Sequence, residues 1–171
     1  MLPSTIIKVW DKILPSCTDN FEDVKQPKYH LTAEKELTIF QFISEGPKGN
    51  ISKLIEFTET NLNGFFNLAF GDMDKVTSKL DDKVITNNND TEKVLATIVS
   101  AVYAFTDKYP DTWVYATGST TSRTRLYRMG IAKYLEEIIN DFYIYGQLDD
   151  DWHEFDKNVN YDGFVVKRKK S

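Results

Sequence analysis

The sequence predicts an α+β domain, a mixed and mostly antiparallel sheet packed with two long helices. Three observations carry that prediction. Phe, Trp and Tyr make up 13% of the 171 residues, and aromatic side chains fit pleated, half-buried surfaces. Short apolar runs separated by Gly, Pro and Asn turns fill residues 37–72. Two later segments repeat apolar residues at helical spacing and bracket one apolar strand. Helices laid on a sheet are the simplest packing for such elements.

Taken in order, the whole chain (1–171) reads as a single domain. Met1–Leu14 forms an amphipathic helix from Ile6, Ile7, Trp10 and Ile13, ended by Pro15, and Ser16–Lys28 connects it onward. Leu37–Ser44 is short, apolar and aromatic, a strand. Glu45–Gly49 favours a tight reversal. Asn50–Thr58 then alternates Ile51, Lys53, Ile55 and Phe57 against Ser52, Leu54 and Glu56. After a turn at Asn61–Gly64, Phe65–Phe70 is a third strand, closed by Gly71 and Asp72. Such short turns make 37–72 an antiparallel meander. Asp74–Asp90 is polar, with a strand-like piece at Lys83–Thr86.

The helical half runs over 91–142. Thr91–Lys108 carries Val94, Ile98, Val102 and Phe105 on one stripe, flanked by Leu95 and Val99. Asn89 and Glu92 have capping-box spacing, Asp90 is a second cap candidate, and Pro110 ends the helix. Thr112–Thr117 is a buried strand. Ser122–Phe142 is the second long helix, with Leu126, Met129, Leu135, Ile138, Ile139 and Phe142 on its apolar face. Gly130 inside it costs about 1 kcal/mol relative to Ala, which close packing would justify. The C-terminal strands lie within 143–167, at Tyr143–Tyr145 and Tyr161–Lys167, around an acidic, aromatic loop at Gln147–Asn160.

Composition narrows the function classes. A net charge of −5 disfavours a broad nucleic-acid footprint. The single cysteine, Cys17, leaves no internal disulfide, no apolar run reaches membrane-span length, and the first residues lack a signal-peptide core. The expectation is a cytoplasmic protein with no membrane partner. His30 and His153 lack metal-site spacing, so no metal site is predicted.

The best candidate for chemistry is Gly118, Ser119, Thr120, Thr121, Ser122, Arg123, Thr124 and Arg125. The stretch follows a buried strand and opens a helix, whose first N–H groups are unpaired and carry partial positive charge. Hydroxyls and two arginines added to that end suit a phosphate or another anion. The ligand-binding set is therefore Gly118, Ser119, Thr120, Thr121, Arg123 and Arg125, and the ligand class a small phosphorylated molecule or nucleotide. The competing account is structural: Ser and Thr cap the helix, and the arginines pair with acids such as Asp149–Asp151. The motif lacks the Gly-Lys-Ser/Thr ending of a P-loop. Tyr127 lies one turn after Arg123 and is a candidate proton donor to a leaving group, or an aromatic packed between helix and sheet.

Two resemblances follow. GPKGNISKLIEF, NLAFGD, NNNDTEKVLATIVSAVYAF, ATGSTTSRTRLYRMGI and NYDGFVVKRKK together resemble an uncharacterised bacterial family, the domain of unknown function numbered 6934, over nearly the full length. That resemblance implies one coherent domain and brings no activity. A second resemblance spans about Thr91–Ile131. Helix, strand, turn and Leu126-Tyr127-Arg128-Met129-Gly130-Ile131 are similar to the C-terminal half of the GCN5-related N-acetyltransferase fold. It implies an acetyltransferase-like fold, acetyl-CoA as cofactor, and Tyr127 as the general acid that protonates the departing thiolate. Where those enzymes hold pyrophosphate on a glycine-rich loop, this chain has Thr86–Thr91, without glycine and with Asp90. The same fold with acyl-CoA binding lost is thus equally implied. A third expectation is a non-enzymatic interaction protein, for instance one member of a defence or toxin–antitoxin pair.

Overall fold

The structure, a computed structural model, describes residues 27–81, 83, 84 and 86–170. The helix expected at Met1–Leu14 and the lone Cys17 lie outside the described residues. Nine strands and two helices follow in the order β1 (Thr32–Ala33), β2 (Ile39–Gly46), β3 (Gly49–Glu59), β4 (Phe65–Met73), β5 (Leu80–Asp81), α1 (Thr91–Lys108), β6 (Trp113–Ala116), α2 (Thr121–Asp141), β7 (Phe142–Leu148), β8 (Asp151–Glu154) and β9 (Gly163–Arg168).

One sheet contains every strand among the described residues. Its order is β1-β2-β3-β4-β6-β9-β7-β8, with β5 paired to the end of β4. Strands β2, β3 and β4 form the expected meander; the β2–β3 reversal needs only Pro47 and Lys48, with Gly49 at φ +85°. Among the described strands only β4 and β6 run parallel, and α1 is the crossover between them. The pairing covers Phe65–Leu68 against Trp113–Ala116 and stops there. Beyond it, β4 continues without β6 over Ala69–Gly71 until β5 pairs with Asp72 and Met73, so a crevice opens at the carboxyl ends of β4 and β6. Such crevices, where sheet connectivity reverses, are where open α/β sheets bind ligands.

Register assigns the faces. Directly opposed residues share a face, so Phe40, Ile55 and Phe70 form one row, Phe57, Leu68, Ala116 and Phe164 another, and Val114, Val166 and Ile144 a third. Both helices cover this face. Phe105 of α1 stacks on Phe57 at 4.1 Å and meets Phe66 edge-on. Leu95 of α1 and Tyr127 and Gly130 of α2 surround a small apolar cavity of about 80 Å³ over Leu68, Val114 and Phe164. Gly130 has the reason the sequence suggested, since a Cβ there would sit 3.0 Å from Leu95 Cδ2. Helix α1 is buried beyond its apolar stripe, and it accommodates this because Thr97, Ser100 and Thr106 each donate to the carbonyl four residues back.

Several details differ from expectation. The second helix ends at Asp141 and Phe142 opens β7, while Met129 and Ile139, expected on its apolar face, are exposed. Residues 83, 84 and 86 form no strand; instead Asp72 accepts from Thr86 N and its own N–H donates to Val84 O. Part of the acidic loop, Asp151–Glu154, pairs with β7 as an edge strand. The capping box at α1 does not form. Asn89 adopts φ +61°, and the N-cap Asp90 makes no side-chain cap because Tyr29 Oη (2.7 Å) and Ser44 Oγ (2.6 Å) both donate to its Oδ2.

Candidate functional site

A cavity of about 350 Å³ with mixed polar and apolar walls lies where β4 and β6 part. Its walls are Lys53 and Phe70 of the sheet, Thr86, Asn87 and Asp90 of the loop before α1, Thr91 and Val94 of α1, and Thr120, Ser122, Arg123 and Leu126 at the start of α2, with Lys83 at its edge. Both helix N-termini therefore open on one space, and each brings partial positive charge to it. Because the Asp90 carboxylate is committed to Tyr29 and Ser44, the positive end of α1 has no side-chain cap.

Arg123 is the central group. It is 6% exposed, and its Nη1 donates to Ser119 Oγ at 3.3 Å. Its Nη2 is buried and has no hydrogen-bond partner among the described residues. Among the described residues no carboxylate pairs with it, so the expected alternative, pairing with Asp149–Asp151, does not occur. A buried guanidinium that lines a cavity and keeps one donor unmatched has the chemistry to receive an acceptor there.

Lys53 is the second cation, and sequence reasoning missed its role. It is 1% exposed on the helix-covered face of β3. Lysines are almost never buried unless paired, and here the cross-strand neighbour Asp72 is the partner, in hydrogen-bonded contact through Oδ1. Lys53 Nζ also donates to Thr86 O at 3.0 Å, while Asp72 Oδ2 accepts from Thr86 Oγ1 at 2.6 Å. The signal was present in the alternation of β3, which puts Lys53 in phase with Ile51, Ile55 and Phe57.

The other predicted residues divide. Thr120 caps α2, its hydroxyl accepting from Arg123 N at 3.3 Å, and lines the cavity. Ser119 holds Arg123 from behind. Gly118 lets the turn close: its N–H donates to Thr124 Oγ1, and a Cβ there would lie 2.4 Å from both Arg123 Cβ and Thr124 N. Gly118→Ala is therefore expected to shift the first turn of α2, lowering stability by about 1–3 kcal/mol and weakening anion binding; urea melts and a phosphate titration of the variant check both. Thr121 and Arg125 are exposed and outside the cavity wall. Tyr127 is buried and lines the apolar cavity, not the polar one. Burial pushes its phenol up to about 12, against the smaller opposing effects of the Arg123 charge and the Phe70 amide. At neutral pH it holds its proton.

His30 and His153 are exposed, and no cluster of His, Cys, Asp or Glu among the described residues suits a metal. No helix among them is long and apolar enough to cross a membrane.

Residues 25–169 match the model of a family of unknown function, DUF6934. The chain belongs to the DUF6934 family. The match takes in every strand and both helices of this DUF6934 domain, and so the whole cavity. No curated protein and no solved structure matches the chain.

Proposed function

We propose that this DUF6934 protein binds a small phosphorylated ligand in the cavity between the two helix N-termini, with Arg123 as its anchor. One observation carries the reading: Arg123, more than nine-tenths buried and without a partner for its Nη2 among the described residues, lines a 350 Å³ cavity. The uncapped start of α1 and the adjacent Lys53 support it, as both favour negative charge in the same space. The acyltransferase alternative draws less support, since the Tyr127 ring faces the apolar cavity.

The test is ligand-dependent stability. Inorganic phosphate, nucleotides and acetyl-CoA are titrated against the protein while its melting temperature is followed. A true ligand at one hundred times its dissociation constant adds about 2.7 kcal/mol. Arg123→Ala should remove about 1.5–3 kcal/mol of binding, the range for a charge-assisted hydrogen bond, and Arg125→Ala should leave affinity unchanged. Equal loss in both variants, or no anion effect on the wild type, contradicts the proposal.

A further inference from the structure

We infer that the cavity is built for a phosphate monoester on a compact, largely apolar body, with Lys53 as the second cation on its phosphate. This rests on the anion-binding reading above and narrows it. Charge is the first argument. Lys53, Lys83 and Arg123 stand against Asp72 and Asp90, which leaves one net positive charge around the cavity. Two helix N-termini, each worth roughly half a charge, bring the positive character to roughly two. A phosphate monoester carries about −1.5 to −2 at neutral pH. It matches that field. A carboxylate leaves a buried cation uncompensated, and a triphosphate exceeds the field.

Size and polarity are the second argument. At about 350 Å³ the cavity is near the lower end of small-molecule sites. Lys53 and Arg123 line it together with the starts of both helices, and Phe70, Val94 and Leu126 supply apolar wall. A body rich in hydroxyls would leave donors facing those three side chains; an apolar or aromatic one would not. Lys53 has the means to serve: its ammonium has three donors, two of which go to Asp72 and Thr86.

Calorimetric titration of the full chain with phenyl phosphate, glycerol phosphate, benzoate and ATP tests the inference. Phenyl phosphate should bind at least tenfold tighter than each of the others, and Lys53→Gln should lower its affinity at least tenfold. Phosphorus NMR of wild-type protein with phenyl phosphate gives a second readout that needs no variant to fold. The bound ester should lose its second proton at lower pH than the free ester, because facing cations favour the dianion. Should glycerol phosphate or ATP bind as tightly through Arg123, or the bound ester titrate as the free one does, the monoester assignment is overturned while the anion reading stands. Should none of the phosphates bind, both fall.

Discussion

Asp72→Ala is expected to destabilise the protein by about 3–5 kcal/mol, the range for breaking a buried ion pair by removing one partner. Lys53 is 1% exposed, and Asp72 is the carboxylate that compensates it. Without that carboxylate the ammonium keeps only the Thr86 carbonyl, and the N–H and hydroxyl of Thr86 lose their acceptor. The double variant Lys53→Met/Asp72→Ala removes the stranded charge and should be more stable than Asp72→Ala alone. That ordering separates charge burial from lost packing, because pure packing losses would add. Urea denaturation of the two single variants and the double gives the comparison. A cost below 1 kcal/mol for Asp72→Ala would show that the Lys53 ammonium reaches solvent through the cavity. An anionic ligand seated on Lys53 supplies a replacement counter-charge, so phenyl phosphate should raise the stability of Asp72→Ala more than that of the wild type.

Much of this architecture was legible because local pattern and tertiary packing agree. The meander, Thr91–Lys108 and the strand at 113–116 follow from alternation, a 3.6-residue stripe and turn chemistry, which the sheet then satisfies. Gly130 was readable for the same reason, as a residue that is costly in a helix unless something packs against it. The failures share one cause. At Asp90 and Thr86, side chains distant in sequence took the hydrogen bonds that local rules assign to a cap or a ladder. Tyr29 and Ser44 are 61 and 46 residues from Asp90, beyond any local rule. The candidate site was half visible. The Gly118–Arg125 stretch announces a helix start with anion chemistry, and it does wall the cavity through Thr120, Ser122 and Arg123. The opposite wall comes from β3 and from the start of α1, and only the register of β3 against β4 pairs Lys53 there with Asp72. Arg123 and Arg125 looked equivalent in sequence. Two positions along a helix rotate a side chain by about 200° at 3.6 residues per turn, which sends one into the cavity and the other to solvent.

Phe105→Ala should cost as much stability as Asp72→Ala and none of the function. Its ring is fully buried, lies parallel to Phe57 at 4.1 Å, and touches Phe66 and Tyr109 at 5.0 and 4.9 Å. Phe-to-Ala changes in such cores cost about 3–5 kcal/mol, through lost burial and the cavity left behind. Val76→Ala, at a site 92% exposed, should stay within about 0.5 kcal/mol and serves as the control. Phe105 lies fourteen positions beyond Thr91 along α1, roughly 21 Å away at 1.5 Å per residue. Phosphate affinity measured on the folded protein at low temperature should therefore be unchanged in Phe105→Ala. Asp72→Ala, by contrast, should alter both stability and affinity, since Asp72 sets the charge and position of Lys53. If Phe105→Ala weakened anion binding as well, the cavity would depend on global packing, and Arg123 and Lys53 would lose their standing as local determinants. If stability falls in both variants and affinity changes only in Asp72→Ala, anion recognition is confined to the helix N-termini and the Lys53–Asp72 pair.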